Sequence, residues 1–320
     1  MGFPLGDWID AHSGARFNLG QSGMIGSLRS YDRALRRLPK PDPDRLRTAL
    51  ARLVGVPGDA IFLTHGATEG NGLVLHYLAV AHRRRLGRTP RLRVGSPEYP
   101  PLSDAGRAAG MDVVGERRNA DVGVLSAPRN PSGTAVRPVD LEAFSRGTRS
   151  VLVDETFREF TDQPSHARER VRGRWTTGTF TKVYGADAVR VGFVAAPPEE
   201  VERFADFHPV VSDRVPPHSV ACALALLRDR NEVLAEARQI LRSNERALRE
   251  GFPDLPELAG PVWFDRVPDG DWLARRALRA DVLVCPGSYF GDRRGVRLGL
   301  TRRTFPAALA AYLAVRRSAA

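Results

Sequence analysis

Lysine is nearly absent from this chain, although basic residues are abundant. Of the 48 lysines and arginines in 320 residues, only Lys40 and Lys182 are lysines. Cysteine is scarce too, because Cys222 and Cys285 are the only two, which argues against a disulfide framework or a cysteine-rich zinc site. We predict that both cysteines are reduced and buried as packing residues.

Long apolar runs are also missing. No stretch approaches the roughly 18 apolar residues that a membrane span needs. The first residues lack the basic and apolar regions of a signal peptide. The sequence therefore predicts a cytoplasmic protein without a membrane partner.

The net charge of +11 raises the question of a polyanionic partner. The arginines are scattered, and the sequence has no basic tail, no zinc-ligand spacing and no strand with interleaved aromatic residues that could stack on bases. Hydrophobic residues make up 42% of the chain and charged residues 27%, as in ordinary globular proteins. We predict no nucleic-acid partner and small-molecule substrates.

Short apolar runs alternate with helical patterns along most of the chain. Predicted strands cover residues 61–63, 91–94, 112–114, 122–126, 151–154 and 191–195. Several of these runs are continuously apolar, as strands covered on both faces require. The pattern predicts an α/β protein with a mostly parallel central sheet and helices on both faces. In such sheets, ligands bind at the carboxyl ends of the strands.

The residue pattern changes after residue 216, where a long helical pattern begins. This change divides the chain into domains. We predict an N-terminal segment (1–30) that joins the small domain, a large domain (31–215), and a long linking helix with a small C-terminal α/β domain (216–320). The long helix is predicted over 218–250, strands over 262–264, 282–284 and 296–300, and a closing helix from the spacing of Phe305, Leu309, Tyr312 and Leu313.

Polar motifs follow several of the predicted strands. Each has an ordinary structural interpretation, since a glycine or asparagine after a strand is usually a turn, an aspartate a helix cap and a lysine a surface charge. In order, the motifs are Gly66-Ala67-Thr68, Ser126-Ala127-Pro128-Arg129-Asn130-Pro131-Ser132-Gly133, Val153-Asp154-Glu155-Thr156-Phe157, Thr179-Phe180-Thr181-Lys182, Arg190-Val191-Gly192-Phe193 and Gly295-Val296-Arg297-Leu298.

As an ordered set from about residue 60 to 300, these motifs resemble the fold-type I enzymes that depend on pyridoxal 5′-phosphate (PLP). The resemblance is to class I/II aminotransferases near histidinol-phosphate aminotransferase. It implies that Lys182 carries the cofactor as a Schiff base and moves the proton between the substrate α-carbon and the cofactor. It also implies that Asp154 holds the pyridinium proton, Asn130 binds the phenolic oxygen and Tyr99 stacks on the ring. The implied phosphate ligands are Ala67 (through its amide), Thr68, Thr179, Thr181 and Arg190.

The resemblance further implies that Arg297 binds the substrate carboxylate, with Gly23 and Asn130 beside it. Residues 18–24 would close over the substrate, and the family suggests a homodimer. Two departures stand out. Phe157 replaces a tyrosine that shares the phenolic oxygen, which should raise the pKa of the Schiff base. Leu38 stands where a tyrosine usually reaches the partner subunit's phosphate, with Tyr31 nearby.

Three functions fit these residues. The first is transfer of an amino group from an L-amino acid to a 2-oxo acid. The second is a lyase, decarboxylase or cyclase reaction with the same cofactor. Phe157 is similar to threonine-phosphate decarboxylase, whereas Thr64-His65-Gly66 and Gln21-Ser22-Gly23 are similar to capreomycidine synthase, which eliminates and cyclises a hydroxylated arginine. The third is a non-catalytic regulatory protein of the PLP fold. Candidates for substrate specificity are His12, Tyr31, Arg33 and Arg36.

Overall fold

The structure is a computed structural model that describes residues 4–24 and 38–318. Its strands are β1 (Phe17–Asn18), β2 (Ile61–Thr64), β3 (Arg91–Val94), β4 (Asp112–Val114), β5 (Val122–Ser126), β6 (Ser150–Asp154), β7 (Arg174–Thr179), β8 (Gly192–Ala195), β9 (Val262–Arg266), β10 (Val282–Leu283), β11 (Cys285–Pro286) and β12 (Gly295–Gly299). Its α-helices are α1 (Pro4–Ala11), α2 (Pro43–Val54), α3 (Ala67–Leu86), α4 (Pro100–Ala108), α5 (Pro138–Ser145), α6 (Pro198–Phe207), α7 (Pro217–Arg228), α8 (Arg230–Gly251), α9 (Gly270–Arg279) and α10 (Phe305–Arg317).

The central sheet has seven strands in the order β2-β8-β7-β6-β5-β3-β4. Strand β8 runs antiparallel to both of its neighbours, and the other strands run parallel to one another. The register pairs Asp154 with Ser126 on one side and Thr177 on the other. The ends of β5, β6 and β7 therefore meet at one edge of the sheet, and the predicted mostly parallel sheet is confirmed.

Alternate residues of the central strands pack into different cores. Leu152 packs with Trp175 and the apolar face of α3, which includes Leu78. Its neighbours Val151 and Val153 point to the opposite face, where they pack against α5. Because successive side chains of a strand point to opposite faces, continuously apolar strands need cover on both sides. The predicted helices on both faces are confirmed.

A smaller sheet forms from the C-terminal part of the chain. Strands β11, β12 and β9 pair antiparallel in that order, whereas β1 pairs in parallel with β10. Leu19 joins the same apolar core as Val296 and Phe305. The N-terminal segment is thus held against the C-terminal elements, although the predicted domain boundaries at 30 and 215 stay predictions.

Two predicted elements are wrong in detail. The helix predicted over 218–250 is two helices, α7 and α8, separated at Asp229, whose carboxylate accepts a hydrogen bond from Arg228 Nε (2.9 Å). The strand predicted over 282–284 ends at Leu283, because the carbonyl of Val284 accepts a hydrogen bond from Trp8 Nε1 (3.1 Å). Among the described helices, none is long and apolar enough to cross a membrane.

Candidate active site

A cavity of about 420 Å³ lies at the carboxyl edge of the central sheet. The carboxyl ends of β5, β6 and β7 form its floor, and the N-terminal segment and β12 contribute to its walls. All twelve residues that the sequence predicts as site residues line this one cavity: Gly23, Ala67, Thr68, Tyr99, Asn130, Asp154, Phe157, Thr179, Thr181, Lys182, Arg190 and Arg297.

One end of the cavity is suited to bind an anion. Helix α3 begins at Ala67 after Gly66, whose φ of 96° is a left-handed conformation that favours glycine, and no side chain caps the helix. Its first amides therefore point toward the cavity with the positive end of the helix dipole. The hydroxyls of Thr179 and Thr181 lie 2.9 Å apart beside it. The guanidinium of Arg190 lies near the same turn.

The close approach of β8 to this turn depends on a glycine. A Cβ atom on Gly192 would lie 2.6 Å from the carbonyl carbon of Gly66 and 2.6 Å from the carbonyl oxygen of Gly178. Real Cβ contacts are not that short, so a side chain at Gly192 would displace the start of α3. The glycine of the arginine-containing motif thus positions the anion-binding turn.

Asp154 is a buried carboxylate at the end of β6, and it is held by three hydrogen bonds. Asn71 Nδ2 donates to its Oδ2 (2.9 Å), while the amide (2.9 Å) and hydroxyl of Thr156 donate to its Oδ1. The Asn71 side chain is oriented in turn, because its Oδ1 accepts from Thr177 Oγ1 (2.6 Å). Burial raises the pKa of Asp154, and these hydrogen bonds oppose the rise.

Arg297 is a buried guanidinium on the opposite wall, 2% exposed. Its Nη1 donates to Asn130 Oδ1 (3.2 Å) and its Nη2 to the carbonyl oxygen of Gly20 (2.8 Å), while its Nε is buried without a partner. Among the side chains that the structure describes, no carboxylate forms an ion pair with it. A buried charge in this situation favours an anionic ligand.

Lys182 lies in the turn after β7 and is partly buried. Its carbonyl oxygen accepts a hydrogen bond from the amide of Met24 (3.0 Å), which joins the N-terminal segment to this turn. Burial lowers the pKa of the Lys182 ammonium, the Arg297 charge lowers it further, and Asp187 and Asp154 oppose these effects. A lowered pKa makes the neutral, nucleophilic amine more available.

Two aromatic residues complete the cavity. Tyr99 begins helix α4, and burial raises the pKa of its phenol to about 12, so the group stays neutral near pH 7. Phe157 is 3% exposed and packs edge-on against Phe160, with 6.3 Å between the ring centroids. Phe157, which stands where the family usually has a tyrosine hydroxyl, therefore lies at the cavity wall.

Residues 18–24, the N-terminal segment that is predicted to close over the substrate, lie against β12. The amide of Gly299 donates to the carbonyl of Leu19 (2.6 Å), and Gly23 lines the cavity. The predicted burial of the cysteines is confirmed for Cys285, which packs with Leu5, Phe264 and Phe290 while its Sγ lies 3.2 Å from Arg297 Nη2. It is wrong for Cys222, which is only partly buried.

Of the predicted specificity residues, His12 is described by the structure and does not line the cavity. His12 stacks on Trp8, and its Nδ1 lies 2.6 Å from the carbonyl oxygen of Trp8. Tyr31, Arg33 and Arg36 lie outside the described residues.

Several cavity residues are missing from the sequence prediction. Leu5 and Ile9 of α1, Gln21, Ser22, Ser126 and Thr156 all line the cavity, and Asn71 supports it from behind. Asn71 carried a weak signal, because it is a polar residue among the apolar residues of a helix face. Gln21 carried a similar one, since it stands in the segment predicted to close the site.

The sequence of this chain matches a known protein family. The sequence model of the family described as aminotransferase class I and II matches residues 28–308. The chain belongs to this family. Its cofactor is PLP, as the resemblance of the motifs implied.

Relatives of this family member differ in the reactions that their names state. Capreomycidine synthase of Streptomyces vinaceus is 30% identical, over 93% of this chain and 89% of the relative. A histidinol-phosphate aminotransferase of Symbiobacterium thermophilum is 29% identical, over 86% of this chain and 82% of the relative.

Solved structures support the fold. A PLP-dependent cyclase, OrfR, superposes with a TM-score of 0.79 at 21% identity, covering 99% of this chain and 98% of that chain. The aspartate aminotransferase of Thermus thermophilus superposes with a TM-score of 0.76 at 19% identity, covering 96% and 93%. The chain is therefore a family member with the PLP-dependent transferase fold. This fold does not identify its reaction, because one of the two superposed enzymes is a cyclase and the other an aminotransferase.

Proposed function

We propose that this protein is an aminotransferase that moves the amino group of an L-amino acid to a 2-oxo acid, with PLP bound to Lys182. The observation that carries the proposal is the presence of Lys182, Asp154 and Arg297 in one cavity. These residues provide a nucleophilic amine, a buried acid and a buried cation without a carboxylate partner among the described residues. Bound PLP supplies an electron sink for the electrons released at the substrate α-carbon.

The residues fit this cofactor at both of its ends. The uncapped start of α3, the hydroxyls of Thr179 and Thr181, and Arg190 would hold the phosphate. At the other end, Asp154 would accept the proton of the ring nitrogen as a charged hydrogen bond. Asn71 keeps the carboxylate oriented for this role.

The remaining contacts would fix the cofactor ring and extend the phosphate site. Asn130 would donate its amide N–H to the phenolic oxygen, because its Oδ1 already accepts from Arg297. Tyr99 would cover one face of the ring, and the Ala67 amide and Thr68 hydroxyl would add to the phosphate site. Phe157 adds only apolar contact.

Arg297 would bind the α-carboxylate of the substrate through two parallel hydrogen bonds. Its buried Nε is free of a described partner, and Gly23 lies on the same wall. Taking one partner of a buried ion pair away costs about 3–5 kcal/mol, so a carboxylate gains comparable stabilisation on meeting this guanidinium. This contact would orient the α-carbon toward Lys182.

Lys182 Nζ would act as the base that removes the α-proton and returns it. Amino transfer needs a single such group. Among the described cavity residues, Lys182 is the only amine, and the other ionisable side chains are Tyr99, Asp154, Asp187, Arg190 and Arg297. The N-terminal segment, joined to the Lys182 turn through Met24, would exclude water during the transfer.

A half-reaction tests this proposal. Purified protein loaded with PLP is mixed with single L-amino acids, and the absorbance of the cofactor is followed. We expect at least one amino acid to convert the cofactor from its aldehyde form to its amine form with release of a 2-oxo acid. Borohydride reduction and peptide mapping should locate the cofactor on Lys182. A panel in which no amino acid yields the amine form would overturn the proposal.

A second candidate is a cyclase, in which elimination from the substrate side chain is followed by ring closure. It is favoured by the match to capreomycidine synthase over 93% of the chain. The same Lys182 amine would remove the α-proton, and a side-chain nitrogen would close the ring after a β-hydroxyl leaves as water. Mass spectrometry of a hydroxylated arginine incubated with the protein distinguishes the two reactions. Loss of one water without release of a 2-oxo acid indicates cyclisation.

We also propose that the protein is a homodimer in the cytoplasm, as its family membership suggests. Light scattering that finds a fully active monomer would contradict the dimer. A Lys182→Ala variant separates enzyme from regulatory protein, because unchanged cellular function in that variant would favour the non-catalytic alternative.

A further inference from the structure

Gln21 lines the cavity, and the Oε1 atom of its carboxamide has no hydrogen-bonding partner in the described chain. Its Oε1 is buried and accepts no hydrogen bond, and Gln21 lines the cavity together with the proposed cofactor and substrate residues. A buried amide oxygen without a donor costs free energy, and most buried polar atoms are therefore paired. A donor that arrives with a ligand would pair this oxygen once the carboxamide rotates toward the cavity that Gln21 lines.

The backbone holds Gln21 in place. Its amide donates to Asn18 Oδ1 (3.2 Å), and the preceding carbonyl, of Gly20, accepts from Arg297 Nη2 (2.8 Å). Its own carbonyl lies against Gly299, where a Cβ atom would come within 1.9 Å of the oxygen. Gln21 is thus one residue away from a contact of the proposed carboxylate-binding arginine, on the substrate side of the cavity.

The surroundings of Gln21 limit the kind of substrate side chain that fits. Leu5 and Ile9 of α1 form an apolar part of the wall. The cationic residues among the described lining are Lys182, Arg190 and Arg297, which the proposed function assigns to the cofactor and the α-carboxylate. Among the described lining residues, no further cation is therefore left for a second carboxylate on the substrate side chain.

We infer that Gln21 is a specificity-determining residue whose Oε1 accepts a hydrogen bond from the substrate side chain. The preferred amino acids then carry a neutral or cationic N–H or O–H donor on that side chain. This inference rests on the proposed function only in taking the substrate to be an α-amino acid. It applies whether amino transfer or elimination follows binding.

The expected discrimination follows from the cost of leaving Oε1 unpaired. An apolar side chain of equal size would bury the oxygen without a donor, whereas a donor-bearing side chain would pair it. Sites that hydrogen-bond a substrate group reject analogues that lack it, and one unpaired neutral group corresponds to about 5- to 100-fold in affinity. The effect should disappear when the acceptor is removed.

The test compares amino acids of similar size with and without a donor: threonine against valine, glutamine against methionine, and lysine against norleucine. Dissociation constants are measured from the absorbance change of bound PLP in the wild-type protein. The same titrations are run on Gln21→Met, which keeps the length of the side chain, and on Gln163→Leu, a control at an exposed glutamine. Thermal unfolding verifies that each variant folds.

We expect the wild type and Gln163→Leu to prefer the donor-bearing member of at least one pair by about 5-fold or more. Gln21→Met should bring that ratio close to one, mainly by weakening the donor-bearing ligand. An unchanged ratio in Gln21→Met, or no preference in the wild type, overturns the inference. If no amino acid alters the cofactor absorbance of any variant, the proposed function itself fails, so the two failures are distinguishable.

Discussion

Replacing Glu98 by glutamine should remove a pH dependence from the stability of this protein. Glu98 is buried directly behind the cavity, where its carboxylate accepts hydrogen bonds from the amide of Tyr99 (2.7 Å) and from the amide (2.9 Å) and hydroxyl (2.5 Å) of Ser126. Ser126 Oγ in turn accepts from the amide of Asn130 (2.8 Å). The carboxylate thus supports three residues of the cavity wall.

Burial raises the pKa of Glu98 from 4.5 to about 7. The nearest cation does not compensate, because Arg129 Nη1 lies 3.6 Å from Glu98 Oε2 without a hydrogen bond, and its Nη2 binds Glu116 instead. The folded state therefore keeps a proton on Glu98 that the unfolded chain loses near pH 4.5. Stability falls as pH rises from about 4.5 to 7, by about 3 kcal/mol in total.

Chemical denaturation at a series of pH values measures this effect. Urea unfolding of the wild type and Glu98→Gln would be followed at pH 5, 6, 7 and 8 with the same PLP concentration throughout. Glutamine does not titrate, so we expect the difference in unfolding free energy between the two proteins to change by about 2 kcal/mol across this range. The wild type should hold its advantage at pH 5 and lose it toward pH 8. Glutamine also leaves one amide N–H without an acceptor, at a pH-independent cost of about 1–3 kcal/mol.

The outcome depends on how the difference in unfolding free energy between the two proteins changes with pH, and not on the absolute stability of either protein. Glu142→Gln removes an exposed carboxylate from α5 and serves as the matched control. A free-energy difference between wild type and Glu98→Gln that stays constant from pH 5 to 8 would refute the reasoning. A slope of the same size in Glu142→Gln would refute it equally.

Three further predictions concern the cavity itself. Asn71→Leu should lower the affinity for PLP about tenfold, because it removes a hydrogen-bond donor from Asp154, and should lower the unfolding free energy by about 1–3 kcal/mol. Equilibrium dialysis measures the affinity, and urea unfolding measures the stability. In a double-mutant cycle with Thr177→Val, the effects of the two substitutions should be non-additive. Phe157→Tyr should lower the pKa in a spectroscopic titration of bound PLP by about one unit, and an unshifted titration would contradict the role of the missing hydroxyl. Arg297→Lys should weaken amino-acid binding at least about tenfold in absorbance titrations while PLP binding is retained, since lysine cannot form two parallel hydrogen bonds.

Local patterns in the sequence were enough to predict the central sheet. The strands at 91–94, 112–114 and 122–126 have the predicted bounds. These strands are short and end at turn residues, so their first and last residues can be identified from the sequence. Strand β7 is not among the predicted strands, because Arg174–Thr179 holds three threonines and a glycine and is not an apolar run.

Twelve of the cavity residues were also accessible from sequence, since most of them belong to motifs that follow strands and that occur in a fixed order. Their common location depends on a general property of parallel sheets, whose strand ends meet at one edge. Lys182 illustrates this best: its rarity as a lysine and its place between Asp154 and Arg190 singled it out before any geometry was known.

Contacts between distant segments were decided only by the tertiary structure. The bond from Asn71 to Asp154 spans 83 residues and that from Arg297 to Gly20 spans 277, and neither leaves a local pattern. The same holds for the unpaired oxygen of Gln21 and the raised pKa of the buried Glu98, whose properties come from neighbours that surround them in space. The sequence by itself thus determined the sheet through its hydrophobic pattern, and the cofactor and edge residues through the resemblance of its ordered motifs to a known enzyme family. Which polar atoms are paired, and which remain open to a substrate, depends on packing and belongs to the folded chain alone.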